Sequence, residues 1–272
     1  MGPEQKESVR QREPYTSETA VAESVLEVRI PDPPEASHDQ DEEWCEVHVN
    51  GNVRRVRFHD YAEIYAIPGL YEQIFYDELE CDSPRTVCSL LSRALEESTD
   101  PPDSLCVLEV GAGNGMVGEE LDRRGAQTIV GVDIIDEAAE AAARDRPGIY
   151  DDYKVMDLTC PPAEDYRDLE RRDFNCLVTV AALGFGDIPP EAFSTAYDLV
   201  EDGGWVAFNI KEDFLRAADG SGFSSMIRGA LSSGALEVVD QHRYQHRRAI
   251  DGQPIHYVAA VGRKRGALDP GA

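Results

Sequence analysis

The run Glu109-Val-Gly-Ala-Gly-Asn-Gly-Met-Val-Gly118 carries the densest chemical signal in the chain. Glycines there admit backbone conformations closed to other residues and let a ligand come close to the main chain. The free N–H groups at the start of a following helix add a polar cradle. Alone, the loop is ambiguous, because Gly113-x-Gly115-x-x-Gly118 also satisfies the dinucleotide-binding fingerprint. Three acids separate the readings. Glu109, two positions before the first glycine, suits a cationic group such as an α-amino group or a sulfonium, and is an odd neighbour for pyrophosphate. Asp133 is placed to accept from ribose hydroxyls, a role common to both ligand classes. Asp157 has no counterpart in the dinucleotide pattern. A carboxylate there can accept from an exocyclic adenine amine, with Met156 or Leu158 covering the ring. The three acids stand 24 residues apart and are expected to end three consecutive strands along one rim of a sheet, where open α/β sheets bind ligands. Any one of them could cap a helix instead; three at matching strand ends favour the ligand.

The surrounding pattern supplies that sheet. Strands are expected at Leu105–Val110, Thr128–Asp133, Tyr153–Met156, Phe174–Val180 and Trp205–Ile210. Helical stretches lie between them near Gly115–Arg124, Ile135–Asp145, Ala163–Glu170 and Pro190–Val200. Such alternation implies right-handed crossovers and a parallel sheet. The nearly continuous apolar runs at Leu105–Leu108 and Cys176–Val180 agree, since a parallel sheet is covered on both faces. Phe223–Leu231 then reads as a helix, and Leu236–Arg247 with Ile255–Val261 as a hairpin turning at Asp251-Gly252. Upstream, Cys45–Val49 and Val53–Phe58 alternate around Asn50-Gly51, a hairpin signal. Two short aromatic helical stretches follow, at His59–Tyr65 and Leu70–Phe75. Ser83-Pro84 then opens an amphipathic helix, with Ser83 as its cap and Val87, Leu90, Leu91, Ala94 and Leu95 on one face. Residues 1–43 hold 12 acidic and 4 basic side chains and few aromatics, so a disordered acidic leader is expected there. The domain organisation is thus a leader over 1–43, a hairpin and helical lid over 44–100, a Rossmann-like domain over 101–265 and a tail over 266–272.

With these elements in place the sequence resembles the class I S-adenosylmethionine-dependent methyltransferases. The matching residues are Val107-Leu-Glu-Val-Gly-Ala-Gly-Asn-Gly115, Gly131-Val-Asp133, Val155-Met-Asp157, and Leu199-Val-Glu-Asp-Gly-Gly-Trp-Val206 leading into the fifth strand. The resemblance covers roughly residues 60–264. It implies a Rossmann-like, seven-stranded, mostly parallel sheet with a reversed C-terminal strand and helices on both faces. It also implies S-adenosylmethionine as cofactor. Carried over, Glu109 with Gly111 and Gly113 would hold the methionine moiety, Asp133 the ribose and Asp157 the adenine, with Ala112, Asn114, Gly115, Ile134, Leu158, Ala181 and Tyr65 also binding the cofactor. Ala181–Gly184 would pass close to the methionine end. In small-molecule members an N-terminal lid often ends its first helix with Tyr-Asp; here Tyr65 is followed by Ala66. Tyr61, Tyr65 and Tyr71 either close over the sulfonium and acceptor or pack as an ordinary amphipathic helix.

Methyl transfer is an in-line displacement and needs no protein nucleophile. A general base matters only where the acceptor must lose a proton, and His59 is the best-placed candidate. Asp187 could face the acceptor but reads better as a cap before Pro189-Pro190. No Asn/Asp-Pro-Pro-Tyr follows the fourth strand, which argues against amide or nucleobase nitrogen as acceptor, and no cluster of metal ligands is evident. The net charge of −27 disfavours nucleic acid. Its two basic clusters, Arg54–Arg57 and Arg243–Arg248, read as solvated strand faces. No apolar run approaches the roughly eighteen residues of a membrane span, and no secretory signal opens the chain, so a cytoplasmic protein is expected. A small-molecule acceptor leads, with protein second. The competing readings are an NAD(P)-dependent oxidoreductase using the 113–118 glycines and a catalytically silent cofactor-binding module.

Overall fold

A computed structural model of the chain describes residues 26–31, 42–49, 51–99, 101, 103–183, 188–212 and 222–268. Its main sheet grows from strands whose two faces are both apolar. In β4 (Cys106–Val110), β5 (Thr128–Asp133), β7 (Phe174–Thr179) and β8 (Val200–Lys211), Val107, Ile129, Cys176, Val178 and Ala207 face one core; Leu108, Val130, Val132, Leu177 and Val206 face the other. With β6 (Asp152–Val155) these strands are parallel. The C-terminal pair β9 (Leu236–Arg248) and β10 (Pro254–Lys264) completes seven strands in the order β6-β5-β4-β7-β8-β10-β9, with β10 antiparallel to both neighbours. This is the expected architecture with its reversed strand. Chain direction changes sides between β5 and β7 on either flank of β4, which opens a crevice above their C-terminal ends.

Helices cover both faces. α3 (Ser83–Glu97) and α4 (Met116–Arg123) bury Val87, Leu91 and Leu121 on one core. α6 (Ala163–Glu170), α7 (Pro190–Asp198) and α8 (Phe223–Ser233) bury Leu169, Phe193 and Ile227 on the other. The cap of α3 differs from expectation. Asp82 occupies the cap position and Ser83 is the first helical residue, its hydroxyl being drawn into a buried cluster described below.

A second, antiparallel sheet is built from β1 (Leu26–Arg29), β2 (Trp44–Val49) and β3 (Asn52–Arg57). Val49 pairs with Asn52, so the hairpin turns through two residues as the Asn-Gly signal requires. Its inner face, Val28, Cys45, Val47 and Val56, packs on α1 (Tyr61–Tyr65), α2 (Leu70–Glu72) and the π-helical turn Gln73–Glu78. Strand β1 corrects the expectation of a structureless leader. Leu26 and Val28 alternate with polar residues and pair with β2, a four-residue signal lost when composition is averaged over 43 residues. Glu43, too, is buried, bonded to Arg247 of β9. The rest of the leader lies outside the described residues. At the other end Leu268, expected in a tail, is buried in the main core.

Candidate functional site

The glycine loop leaves β4 and bends back over β5: the Gly111 N–H donates to Val132 O at 2.9 Å. Gly111 (φ 72°) and Gly113 (φ 52°) are in the left-handed region. A Cβ on Gly111 would lie 2.8 Å from Ala182 Cβ, and one on Gly113 2.5 Å from the Tyr65 hydroxyl. The loop therefore runs directly beneath the lid and beside the segment after β7.

Asp133, at the end of β5, holds this loop. Its Oδ2 accepts from the Gly113 N–H at 2.9 Å and its Oδ1 from the Ile135 N–H at 3.1 Å. Burial raises its carboxyl above the ordinary range, opposed by those backbone donors. Asp157, after β6, is exposed and forms a turn, its Oδ1 accepting from the Thr159 N–H (2.8 Å) and hydroxyl (2.7 Å), which lower its carboxyl. Between these acids opens a cavity of about 320 Å³, walled by Gly111, Ile134, Met156, Leu158, Ala181 and the lid tyrosines. Ile134, 62% exposed, presents an apolar face at its mouth. No lysine or arginine is among its described lining residues. A narrower cavity continues beneath the lid along Gly111–Asn114.

Glu109 is not part of this rim, contrary to the expected row of three. Strand alternation turns it to the face of Val107, opposite Leu108 and Val110, and it lines neither cavity. It is 1% exposed. Tyr150 Oη lies 3.1 Å from its Oε2, and Oε1 is buried without a partner among the described residues. Burial raises its carboxyl well above the ordinary range; the Tyr150 hydroxyl opposes this and the charge of Asp133 adds to it. Beneath the loop stands a buried acid whose carboxyl is raised by burial.

The other expected residues sort by position. Ala112 and Asn114 line the narrow cavity, but Asn114 is 2% exposed and its Nδ2 donates to Glu72 Oε1 of the lid at 2.8 Å. Gly115 is the cap residue before α4 and lines neither cavity. Ala181 has a left-handed φ of 57° and lines both cavities, an observed strain of the kind that gathers at sites. His59, Tyr61, Tyr65 and Tyr71 line both cavities as well. Tyr65 is buried against Ala138 and Ala141 of α5 (Asp136–Asp145), and its hydroxyl covers Gly113. Its ring is 5.0 Å from Tyr71. Asp187 and Gly184 lie outside the described residues.

Several residues escaped sequence reasoning. Tyr153 donates to Gly113 O at 2.8 Å. Arg146 bonds Glu72 (2.8 Å), Glu119 (3.0 Å) and Asn114 O (3.2 Å), tying lid, loop and α4 together. His246, Arg247 and Tyr257 from the C-terminal hairpin also line the narrow cavity. The only available signal was the period-two placement of Tyr244 and His246 on one strand face. The basic clusters are mostly paired: Arg54 with Glu63, Arg243 with Glu212 and Arg248 with Glu80, while Arg247 is buried with Glu43 at 2.5 Å.

The model of a methyltransferase-domain family matches residues 80–250. Methyltransferase-like protein 27 of Homo sapiens is 28% identical over 156 residues, which are 54% of this chain and 61% of that protein, less than two thirds of its length. Among solved structures, the N-methyltransferase NodS of Bradyrhizobium japonicum, in complex with S-adenosylhomocysteine, is 16% identical with a TM-score of 0.52, covering 76% of this chain and 97% of that one. An S-adenosylmethionine-dependent methyltransferase from Clostridium acetobutylicum is 12% identical with a TM-score of 0.50, covering 72% and 97%. At these identities the two structures share the fold. No described helix is long and apolar enough to cross a membrane.

Proposed function

The chain belongs to the methyltransferase-domain family, and from that premise we propose that it transfers a methyl group from S-adenosylmethionine to a small molecule held under the aromatic lid. The observation that carries this reading is the 320 Å³ cavity, bounded by Asp133 and Asp157 with no described lysine or arginine in its wall. Such a wall fits an adenosyl group joined to a cationic sulfonium, and its acid after the third parallel strand, Asp157, has no counterpart in dinucleotide binding, which counts against the oxidoreductase alternative. When bound, the cofactor supplies an electrophilic methyl group on that sulfonium.

The chain's own residues do the positioning. Asp133 accepts from ribose hydroxyls with lone pairs that its loop hydrogen bonds leave over. Ile134, Met156 and Leu158 cover the adenine faces and Asp157 takes its exocyclic amine. The backbone of Gly111–Gly113 lies along the amino-acid tail. Tyr61, Tyr65 and Tyr71 present ring faces to the sulfonium and exclude water. Where the acceptor must shed a proton, His59, which lines both cavities, is placed to take it. Orientation of this kind contributes roughly 7–11 kcal/mol in favourable cases. The enclosed lid and the acidic chain favour a small acceptor over nucleic acid.

Thermal shift with S-adenosylhomocysteine and with NAD tests the cofactor. We expect stabilisation by the first alone; stabilisation by NAD alone would overturn the reading. Transfer of labelled methyl to the small-molecule fraction of a cell extract tests the acceptor. Label found only in protein would reassign it, and cofactor binding with no label transferred would leave the silent binding module.

A further inference from the structure

The narrow cavity is lined by a histidine whose proton position is dictated by its neighbours. His246 is buried and stacks on Tyr257 at 4.1 Å. Burial, with Arg247 beside it, lowers its pKa well below the ordinary value, so the ring is neutral and carries one N–H. Its Nδ1 lies 2.6 Å from Ser83 Oγ, leaving Nε2 as the nitrogen a cavity ligand can reach.

Counting protons through the buried cluster decides which nitrogen holds the hydrogen. Asn209 Oδ1 accepts from the Ala181 N–H at 2.6 Å. This orients the amide so that Nδ2 donates both its hydrogens, to Tyr244 Oη at 2.6 Å and to Ser83 Oγ at 3.2 Å. The two hydroxyls are 2.7 Å apart. If Ser83 gave its proton to Tyr244, the buried phenolic proton would have no acceptor among the described residues, an expensive arrangement. Tyr244 therefore donates to Ser83, and Nδ1 is left to accept, from Ser83 at 2.6 Å with the Cys81 thiol 3.8 Å away. The ring's single hydrogen is left on Nε2.

Resting on the cofactor assigned above, we infer that His246 is preset as a neutral Nε2–H donor to the α-carboxylate of S-adenosylmethionine, and is not a base. Two observations choose the carboxylate. The cavity that His246 lines is lined also by Gly111–Asn114, the stretch assigned above to the amino-acid tail. The arginine in its wall, Arg247, is already committed to Glu43, so a carboxylate arriving there depends on neutral donors. The same relay begins at the strained Ala181, linking the segment after β7 to the tail pocket.

The test is nitrogen NMR of the full chain with labelled histidine, titrated with S-adenosylhomocysteine and with 5′-methylthioadenosine, which keeps the adenosine and thioether but lacks the amino-acid tail. We expect a protonated Nε2 and bare Nδ1 in the free protein, with the Nε2–H signal moved by S-adenosylhomocysteine only. His246→Phe, which keeps the stack on Tyr257, should weaken S-adenosylhomocysteine by roughly tenfold, the worth of one charge-assisted hydrogen bond, and leave 5′-methylthioadenosine nearly unaffected. Asn209→Asp, which replaces two donated hydrogens with an acceptor, should move the proton to Nδ1. A protonated Nδ1 in the wild type, or equal response to both nucleosides, overturns the inference while the cofactor reading stands. An Nε2–H signal unmoved by bound S-adenosylhomocysteine sends the donor to the methyl acceptor and overturns it likewise. If neither nucleoside binds, the cofactor reading falls and this inference falls with it. The wild-type titration decides even where a variant fails to fold.

Discussion

The adenosine end and the tail end of the site are built on opposite plans. At the adenosine end each group stands on the last residue of a strand or just beyond it: Asp133 closes β5 and Asp157 follows β6. Its polar groups reach water or near backbone, and removing one costs what that one bond was worth. At the tail end Ser83, Asn209, Tyr244 and His246 come from three separate elements, α3, β8 and β9, and share protons in a dry interior. There a lost partner strands its neighbours. The lesson is that the first end is tuned residue by residue, whereas the second works as a unit.

The largest effect expected at the tail end is on stability. Arg247→Ala leaves Glu43 charged and buried, and should cost about 3–5 kcal/mol in chemical unfolding. A loss near that of an exposed pair would break the contrast. Asp133→Ala acts at the other end and should weaken S-adenosylhomocysteine by about 1.5–3 kcal/mol, the worth of hydrogen bonds to a charged group, as read by calorimetry. Unchanged affinity would remove the ribose role.

Glu109→Gln sharpens the boundary between the two ends, because Glu109 sits below the loop that joins them. Its folded-state pKa lies above the ordinary 4.5. As pH rises through the unfolded value, the unfolded chain releases the proton that the folded chain keeps, so stability falls. The variant should therefore gain thermal stability over the wild type on going from pH 4 to 7 by scanning calorimetry, with methyl-donor affinity little changed. A constant difference across that range would show Glu109 ionised in the fold. The smallest effect should be that of Asp157→Ala. This acid is exposed, and its loss should weaken S-adenosylhomocysteine by less than the loss of Asp133 does; a larger loss would reverse the order of the two acids at the rim.

How much of this was legible follows the same division. The parallel strands, the reversed β10, the hairpin at Asn50-Gly51 and the aromatic lid were all readable, because each rests on local periodicity or on a turn residue. Asp133 and Asp157 were readable because strand ends in this fold meet at one edge. For Glu109 the motif gives its place two residues before Gly111, but only strand alternation tells which face it takes. Strand β1 was too short to stand out from its acidic surroundings, and Ser83 read as a cap because serine before proline usually is one.

What the sequence by itself determined is the strands of the main sheet, their order of appearance and the glycine loop, since these depend on residues near one another in the chain. Only the tertiary structure decided that His246 faces the glycine loop, that Glu43 reaches Arg247, and which ring nitrogen carries a proton. Those outcomes depend on which polar groups meet away from water, and a buried hydrogen bond is chosen by whatever partners packing brings within about 3 Å, however far apart they lie along the chain.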